Sequence, residues 1–98
     1  MTKEDLYIEC TCRCCPEQYD IYYKDKLTGY FRYRHGYMGI FLYEDNEDDI
    51  DWDNPLYEWT NEENRMAGNI TTEKEQKEYD KCIDALVNHI NNKNNNQN

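Results

Sequence analysis

The sequence predicts an α+β fold, a small antiparallel β-meander of three to four strands with one C-terminal amphipathic helix packed on one face. Short stretches in the first half of the chain alternate apolar and polar residues, which is typical of half-buried strands. The pair His35-Gly36 separates two such stretches and suits a hairpin loop. Near the C-terminus, apolar residues recur at spacings of three and four, which is typical of an amphipathic helix.

The length of 98 residues suits one domain, which we expect to span residues 1–90. The composition is highly charged and poor in aliphatic residues, but it includes 10 Tyr and 2 Trp. Each buried aromatic side chain removes about 150–250 Å² from water, so these rings can build a core. The Asn-rich residues 91–98 are expected to form a disordered tail.

The first strand is predicted at Leu6–Cys12, where apolar and polar residues alternate. A second strand is predicted at residues 19–24, with Tyr19, Ile21 and Tyr23 on one face. Residues 24–29 are predicted to form a turn-bearing connection that ends at a glycine, and a third strand follows at 30–34.

The His35-Gly36 loop predicts a specific strand register. It pairs Phe31 with Ile40 and Tyr33 with Met38 on one face, and this face is continuously apolar. The opposite face pairs Arg32 with Gly39 and Tyr30 with Phe41. A shift of one residue would turn every side chain over, so the agreement between loop and pattern supports the register.

The C-terminal helix is predicted to begin at a capping box formed by Thr72 and Glu75. Its apolar stripe needs a surface to cover, and the apolar hairpin face is the large candidate. The residues of the stripe are Tyr79, Cys82, Ile83, Leu86 and Ile90.

The formal charge of −10 opposes direct binding to nucleic acid or to an anionic membrane and favours a basic partner. The chain has no run of about 18 apolar residues and does not open with a signal-peptide pattern, so a cytoplasmic location is expected. The 5 cysteines are odd in number, which favours a reducing compartment over a disulfide framework.

Two segments resemble a family of short, uncharacterised proteins encoded by bacteriophages and related mobile elements. They are residues 14–20, Cys-Cys-Pro-Glu-Gln-Tyr-Asp, and residues 29–36, Gly-Tyr-Phe-Arg-Tyr-Arg-His-Gly. The resemblance implies a phage or mobile-element origin, with the cytoplasm of the host cell as the location. It also implies a protein that acts on host machinery, for example one that counters a defence system such as CRISPR.

The acidic stretch at residues 44–54 is predicted to be a loop or an edge strand. In a strand, alternate residues lie about 6.6 Å apart, so its carboxylates would imitate the charge row of a DNA backbone and suit a basic groove. A solvated loop that maintains solubility is the simpler interpretation. The aspartates also match the opening of a calcium loop in part, although Asn54 stands at the glycine position. The predicted partner-binding residues are Asp48, Asp49, Asp51 and Asp53, and the calcium match concerns Asp49, Asp51 and Asp53.

The N-terminal cysteine cluster is a candidate metal site. Cys12 and Cys15 have the spacing with which two thiolates bind one zinc ion, and Cys10 or Cys14 would add a ligand. The alternative is reduced cysteines packed as small apolar residues. A small zinc-binding module is therefore an alternative function.

The second hairpin face combines arginines with aromatic rings. Such a face can dock on a protein, since Tyr and Arg are favoured at interface hot spots, or it can bind a nucleotide-like anion. Cross-strand stacking of a plain exposed face is the third interpretation. Its residues are Tyr22, Tyr30, Arg32, Arg34, Tyr37 and Phe41.

The function predicted from these features is binding, without catalysis. No serine is present, and no phosphate loop or His-Glu-x-x-His motif is found, so the common hydrolase and phosphotransfer signatures are missing. The expected partner is a host protein with a basic surface, with a nucleic-acid-binding enzyme as one candidate. A homodimer through a tyrosine-rich sheet edge is a further expectation.

Overall fold

A computed structural model describes residues 1–13, 16–43 and 49–95 of the chain. After a short 3-10 helix at Lys3–Asp5, five strands are followed by one helix. They are β1 (Leu6–Cys12), β2 (Glu17–Tyr23), β3 (Lys26–Arg34), β4 (Tyr37–Leu42), β5 (Tyr57–Thr60) and α1 (Glu73–Asn95).

The strands form one sheet in the order β1-β2-β3-β4-β5, and each neighbouring pair is antiparallel. The predicted α+β fold with an antiparallel meander and a C-terminal helix is confirmed. The sheet has five strands, one more than the upper number predicted. The additional strand, β5, pairs with β4 and forms the second edge of the sheet.

The β3–β4 hairpin has the predicted register. Phe31 pairs with Ile40 and Tyr33 with Met38, and on the other face Arg32 pairs with Gly39. His35 has a φ of 53° and Gly36 a φ of 74°, as a two-residue hairpin turn with two left-handed positions requires. The turn chemistry and the apolar pattern thus specify the same pairing.

The connection between β2 and β3 is shorter than predicted. It consists of Lys24 and Asp25, both with positive φ, and β3 already begins at Lys26. Gly29 lies within β3 and serves close packing, because a Cβ there would lie 2.8 Å from Leu86 Cδ2 of α1. The glycine therefore marks the approach of the helix to the sheet, whereas the turn uses two non-glycine residues.

The hydrophobic core lies between one face of the sheet and α1. Five sheet residues on the predicted apolar face are buried, and Tyr23 packs at their margin. The helix contributes the predicted stripe, with Tyr79 partly buried. The buried core residues are Ile21, Phe31, Tyr33, Met38, Ile40, Cys82, Ile83, Leu86 and Ile90.

Helix α1 begins at the predicted capping box. The Glu75 backbone N–H donates to Thr72 Oγ1 at 3.1 Å, and the Thr72 N–H donates to Glu75 Oε1 at 3.0 Å. The helix continues to Asn95, so residues 91–95, predicted as part of a disordered tail, are helical; residues 96–98 lie outside the described residues. The Asn91 side chain donates to the Met1 carbonyl at 3.1 Å, which ties this part of the helix to the N-terminus. Among the helices of the described residues, none is both long and apolar enough to cross a membrane.

Candidate functional site: the outer face of the sheet

The side of the sheet opposite α1 is called the outer face. It carries the predicted residues Tyr22, Tyr30, Arg32, Arg34, Tyr37 and Phe41. Arg32 lies on β3, the central strand, between Gln18 of β2 and Gly39 of β4. The outer face therefore has a cation at its centre.

Arg32 is half-buried beside aromatic rings. Its Nε is buried, and no described residue accepts a hydrogen bond from it. Gly39 lies opposite Arg32 in β4 and has no side chain, and the Phe41 and Tyr37 rings occupy the space beside it. A Cβ on Gly39 would lie 2.9 Å from the Phe41 ring and 3.0 Å from the Tyr37 ring. A buried Nε cannot reach an acceptor on a partner, so this unpaired donor does not by itself mark a binding site.

The side chain of Trp52 packs on the outer face. Its ring lies edge-on to Tyr30, with centroids 5.5 Å apart, and tilted on Phe41 at 5.1 Å. Tyr30 and Phe41 are consequently buried, although both were predicted to lie on a free face. The Trp52 indole covers these two rings, because the described end of the acidic stretch packs against the outer face. Trp52 itself remains 51% exposed and becomes the aromatic surface of this region.

The acidic segment does not form the predicted row of strand carboxylates over the part that is described. Ile50 makes an isolated bridge to Tyr43, and the chain then turns at Trp52 and Asp53. Asp49 and Asp53 are exposed, so their charges face solvent. Asp48 lies outside the described residues, as does the rest of 44–48. Residues 49–54 thus form a loop with one bridge instead of a regular strand.

Asp51 is held within the acidic loop. The Asn54 side-chain amide donates to both Asp51 carboxylate oxygens, at 3.2 Å and 3.1 Å. The Asp51 backbone N–H donates to the Leu42 carbonyl at 2.9 Å, which attaches the loop to the end of β4. These contacts hold the loop, and with it Trp52, against the sheet.

Tyrosine hydroxyls satisfy carboxylates on the outer face. Tyr37 donates to Glu58 at 2.5 Å, and Tyr43 donates to Asp20 at 2.7 Å. Burial raises the pKa of both phenols, and the hydrogen bonds to the carboxylates raise it further. The phenol donors are neutral, so these hydrogen bonds do not compensate the negative charges of Glu58 and Asp20. The outer face is therefore acidic around Arg32.

Arg34 lies at the turn end of the outer face. It is exposed, and its Nε donates to His35 Nε2 at 3.0 Å. Across the hairpin it pairs with Tyr37. Arg34 is therefore in contact with solvent.

The register of β1 separates two of the predicted metal ligands. Cys10 pairs with Tyr19 and Cys12 with Gln18, and a bulge lies between the two cysteines. Because Tyr19 and Gln18 are adjacent in β2, their side chains lie on opposite faces, and the two cysteines do so as well. Cys14 and Cys15 lie outside the described residues. In residues 1–13, 16–43 and 49–95, no group of three His, Cys, Asp or Glu side chains is placed to hold a metal ion, whether zinc or calcium.

A separate cleft of about 560 Å³ lies between the loop after β5 and the first turn of α1. Its lining includes Trp59, Met66 and Lys74. The Asn61 amide in its wall is already engaged, because Nδ2 donates to the Tyr33 hydroxyl at 3.1 Å and Oδ1 accepts from the Asn64 N–H at 3.0 Å. The described contacts of Asn61 attach the loop after β5 to the sheet.

Trp52 was missed as a site residue when the sequence was considered alone. The acidic stretch that contains it was predicted only as a loop or an edge strand, and its contact with Tyr30 joins residues that are far apart in the sequence. A comparison with protein-family models, curated proteins and solved structures found no significant match to this chain. Function is therefore inferred from the geometry of the outer face.

Proposed function

We propose that the protein is a non-catalytic binding domain that uses the outer face and the adjoining acidic loop to bind a basic protein of a host cell, and so inhibits or redirects it. The family resemblance supports the host setting, and the host cytoplasm is the proposed location. The observation that carries the proposal is the position of Trp52, half-exposed on Tyr30 and Phe41.

The Trp52 contact joins two predicted binding regions into one surface. An exposed indole is surrounded by Asp51 and Asp53 in the sequence, and the ring rests beside the strand that carries Arg32. Tryptophan, tyrosine and arginine are the residues most enriched at interface hot spots, where an apolar centre lies within a polar rim. The charged rim and the net charge of −10 favour a basic partner.

A nucleotide-like ligand is less favoured on this face. Tyr30 and Phe41 are buried beneath Trp52, so their rings cannot stack on a base. The carboxylates of Asp20 and Glu58 lie on the same face as Arg32 and would repel phosphate groups. A protein with basic side chains agrees better with this arrangement.

The proposal can be tested by affinity capture from host-cell lysate with quantitative mass spectrometry. The test variant is Asp49→Asn with Asp53→Asn, which removes two exposed charges of the acidic loop and leaves the Asp51–Asn54 contacts intact. The control is Glu62→Gln with Glu73→Gln, which removes the same charge from exposed positions elsewhere. We expect the captured partner to fall by about tenfold with the test variant only. Equal loss with both variants would indicate nonspecific charge attraction and contradict the proposal.

A further inference from the structure

Strand β1 has an open edge. It lies at the margin of the sheet and, among the described residues, pairs only with β2. The regular part runs from Leu6 to Cys10, before the bulge. Natural proteins often protect such edges with lysine or proline, and β1 contains neither. Its outward backbone groups are therefore available to another strand.

A pocket lies beside β1 on the side that faces α1. It has a volume of about 350 Å³, and Ile8, Ile83 and the Tyr79 ring give it apolar walls. Asp80 and Asp84 of α1 add two carboxylates, against one ammonium group from Lys3. Asp80 Oδ1 accepts a hydrogen bond from Gln76 at 3.1 Å. The pocket suits a long basic side chain, whose methylene stem would pack on the apolar walls.

A second pocket lies beside β1 on the outer face. It has a volume of about 270 Å³ and is lined by Tyr7, Tyr22 and Asp25. The two tyrosine rings are 5.8 Å apart, and Tyr7 is 63% exposed. Aromatic faces next to a carboxylate favour a cationic side chain. Both faces of the same edge strand thus carry a pocket with basic preference.

We propose that β1 binds an extended basic segment of a partner protein by strand addition. Side chains of an added strand alternate between the two faces of the sheet, so successive residues would enter the two pockets in turn. The backbone would supply the hydrogen bonds, and Lys or Arg at adjacent positions would supply the specificity. This inference rests on the proposed function in that the partner is basic, but it uses a separate edge of the molecule.

A second copy of the chain fits this edge less well than a basic segment. The β1 sequence, Leu-Tyr-Ile-Glu-Cys-Thr-Cys, has no basic side chain to place in either pocket. Pairing two copies would also bring together two chains of charge −10. The homodimer predicted from the sequence therefore becomes an alternative outcome of the experiment.

The probe is a synthetic peptide, acetyl-Thr-Val-Arg-Arg-Val-Arg-Arg-Val-Thr-amide, titrated into ¹⁵N-labelled full-length protein and followed by NMR. We expect the largest shifts at the amides of Leu6–Cys10. A peptide of the same sequence with N-methyl groups on all of its internal residues keeps the charge but loses the backbone donors along both edges. It should bind at least about tenfold more weakly, because strand addition depends on those donors.

Protein variants test the pockets. Asp80→Asn with Asp84→Asn should weaken peptide binding by about fivefold, because two exposed carboxylates that attract the arginines of the peptide are lost. Lys3→Gln should strengthen binding by about twofold, because it removes an ammonium group that repels them. The control Glu62→Gln with Glu73→Gln matches the loss of charge and should have little effect.

The inference would be overturned by no binding at about 1 mM peptide, by equal affinity of the N-methylated peptide, or by shifts centred away from β1. Self-association of the protein alone through β1, seen as concentration-dependent shifts at Leu6–Cys10, would assign the edge to a second copy and would also overturn it. Because the peptide does not involve Trp52 or the acidic loop, these failures leave the proposed function of the outer face standing.

Discussion

The Tyr33 hydroxyl donates a 2.5 Å hydrogen bond to Glu75 Oε2, which joins the central strand of the sheet to the first turn of α1. Glu75 is only 3% exposed, and its other oxygen accepts from Thr71 and Thr72. Tyr57 makes a similar bond to the buried Glu78 at 2.6 Å. In this acidic protein, neutral phenols therefore help to satisfy the carboxylates at the interface between sheet and helix.

We expect Tyr33→Phe to lower the free energy of unfolding by about 1–3 kcal/mol, because a buried carboxylate would lose a donor. Urea unfolding followed by circular dichroism measures this change. Tyr7→Phe is the matched control, since Tyr7 is 63% exposed, and it should change stability by less than about 0.5 kcal/mol. Equal effects of the two substitutions would show that the Tyr33–Glu75 bond contributes nothing.

The hydrogen bonds from Tyr33 to Glu75 and from Tyr57 to Glu78 predict that the fold loses stability in acid. Burial alone would raise the pKa of Glu75, but hydrogen bonds from Tyr33 and Thr72 outweigh it, so the pKa is lowered. The pKa of Glu78 is lowered likewise, where bonds from Tyr57 and Lys81 outweigh burial. A lowered pKa stabilises the fold above the unfolded value of about 4.3, and this contribution disappears as the pH falls below it. Unfolding at a series of pH values should show a decline below about pH 4.5 that is smaller in Tyr33→Phe.

An opposite decline is expected in alkali. Burial, followed by the bond to Glu75, raises the pKa of Tyr33 to about 12. The side-chain bond to Glu78, followed by burial, raises the pKa of Tyr57 to about 12. A raised phenol pKa gives stability that is complete below the unfolded value of about 10 and is lost as the pH rises towards 12. A free energy of unfolding that stayed constant between pH 10 and 12 would contradict these assignments.

His35→Asn should stabilise the β3–β4 hairpin. His35 has a φ of 53°, which asparagine adopts more readily, and Asn-Gly is the preferred pair for this turn. A gain of about 0.5–1 kcal/mol is expected from the midpoint of urea unfolding. Gly36→Ala should have the opposite effect and lower the stability. Gly36 has a φ of 74°, and a Cβ there would lie 2.8 Å from Arg65 Cα. A loss of stability in His35→Asn would show that the Arg34–His35 bond outweighs backbone strain.

Cys82 should be protected from alkylation in the native protein. It is fully buried, and burial raises the pKa of its thiol to about 12. Iodoacetamide at pH 8 should modify exposed Cys10 at least about a hundredfold faster than Cys82, because only the thiolate reacts. Peptide mapping by mass spectrometry distinguishes the two sites, and labelling in urea is the positive control. Equal native rates would contradict the packing of α1 on the sheet.

Local chemistry made much of the fold predictable. The His35-Gly36 turn and the flanking apolar residues determine the hairpin register, and the Thr72–Glu75 box with the apolar stripe determines the helix. β5 was not predicted because its four residues are too few for a clear pattern, and its pairing depends on the path of the acidic loop. Glycine at position 29 was misleading as a turn signal, since it lies within β3 and packs closely against Leu86, which is far away in the sequence.

The candidate site was only partly predictable for the same reason. Arg32 and Arg34 could be placed on one face from strand alternation alone. The burial of Tyr30 could not, because the Trp52 ring that covers it comes from a loop without a repeating pattern. The Tyr43–Asp20 bond likewise links β2 to the residue that follows β4, and these two strands are not neighbours in the sheet.

Hydroxyl-radical footprinting of the complex with the captured partner tests the central claim most directly. Trp52 is 51% exposed on the outer face, and Met66 is 78% exposed on the loop before α1, so both should be oxidised in the free protein. Binding through the outer face predicts that Trp52 becomes protected in the complex while oxidation of Met66 is unchanged. Unchanged oxidation of Trp52 in a fully formed complex would contradict the assignment of the outer face as the binding surface.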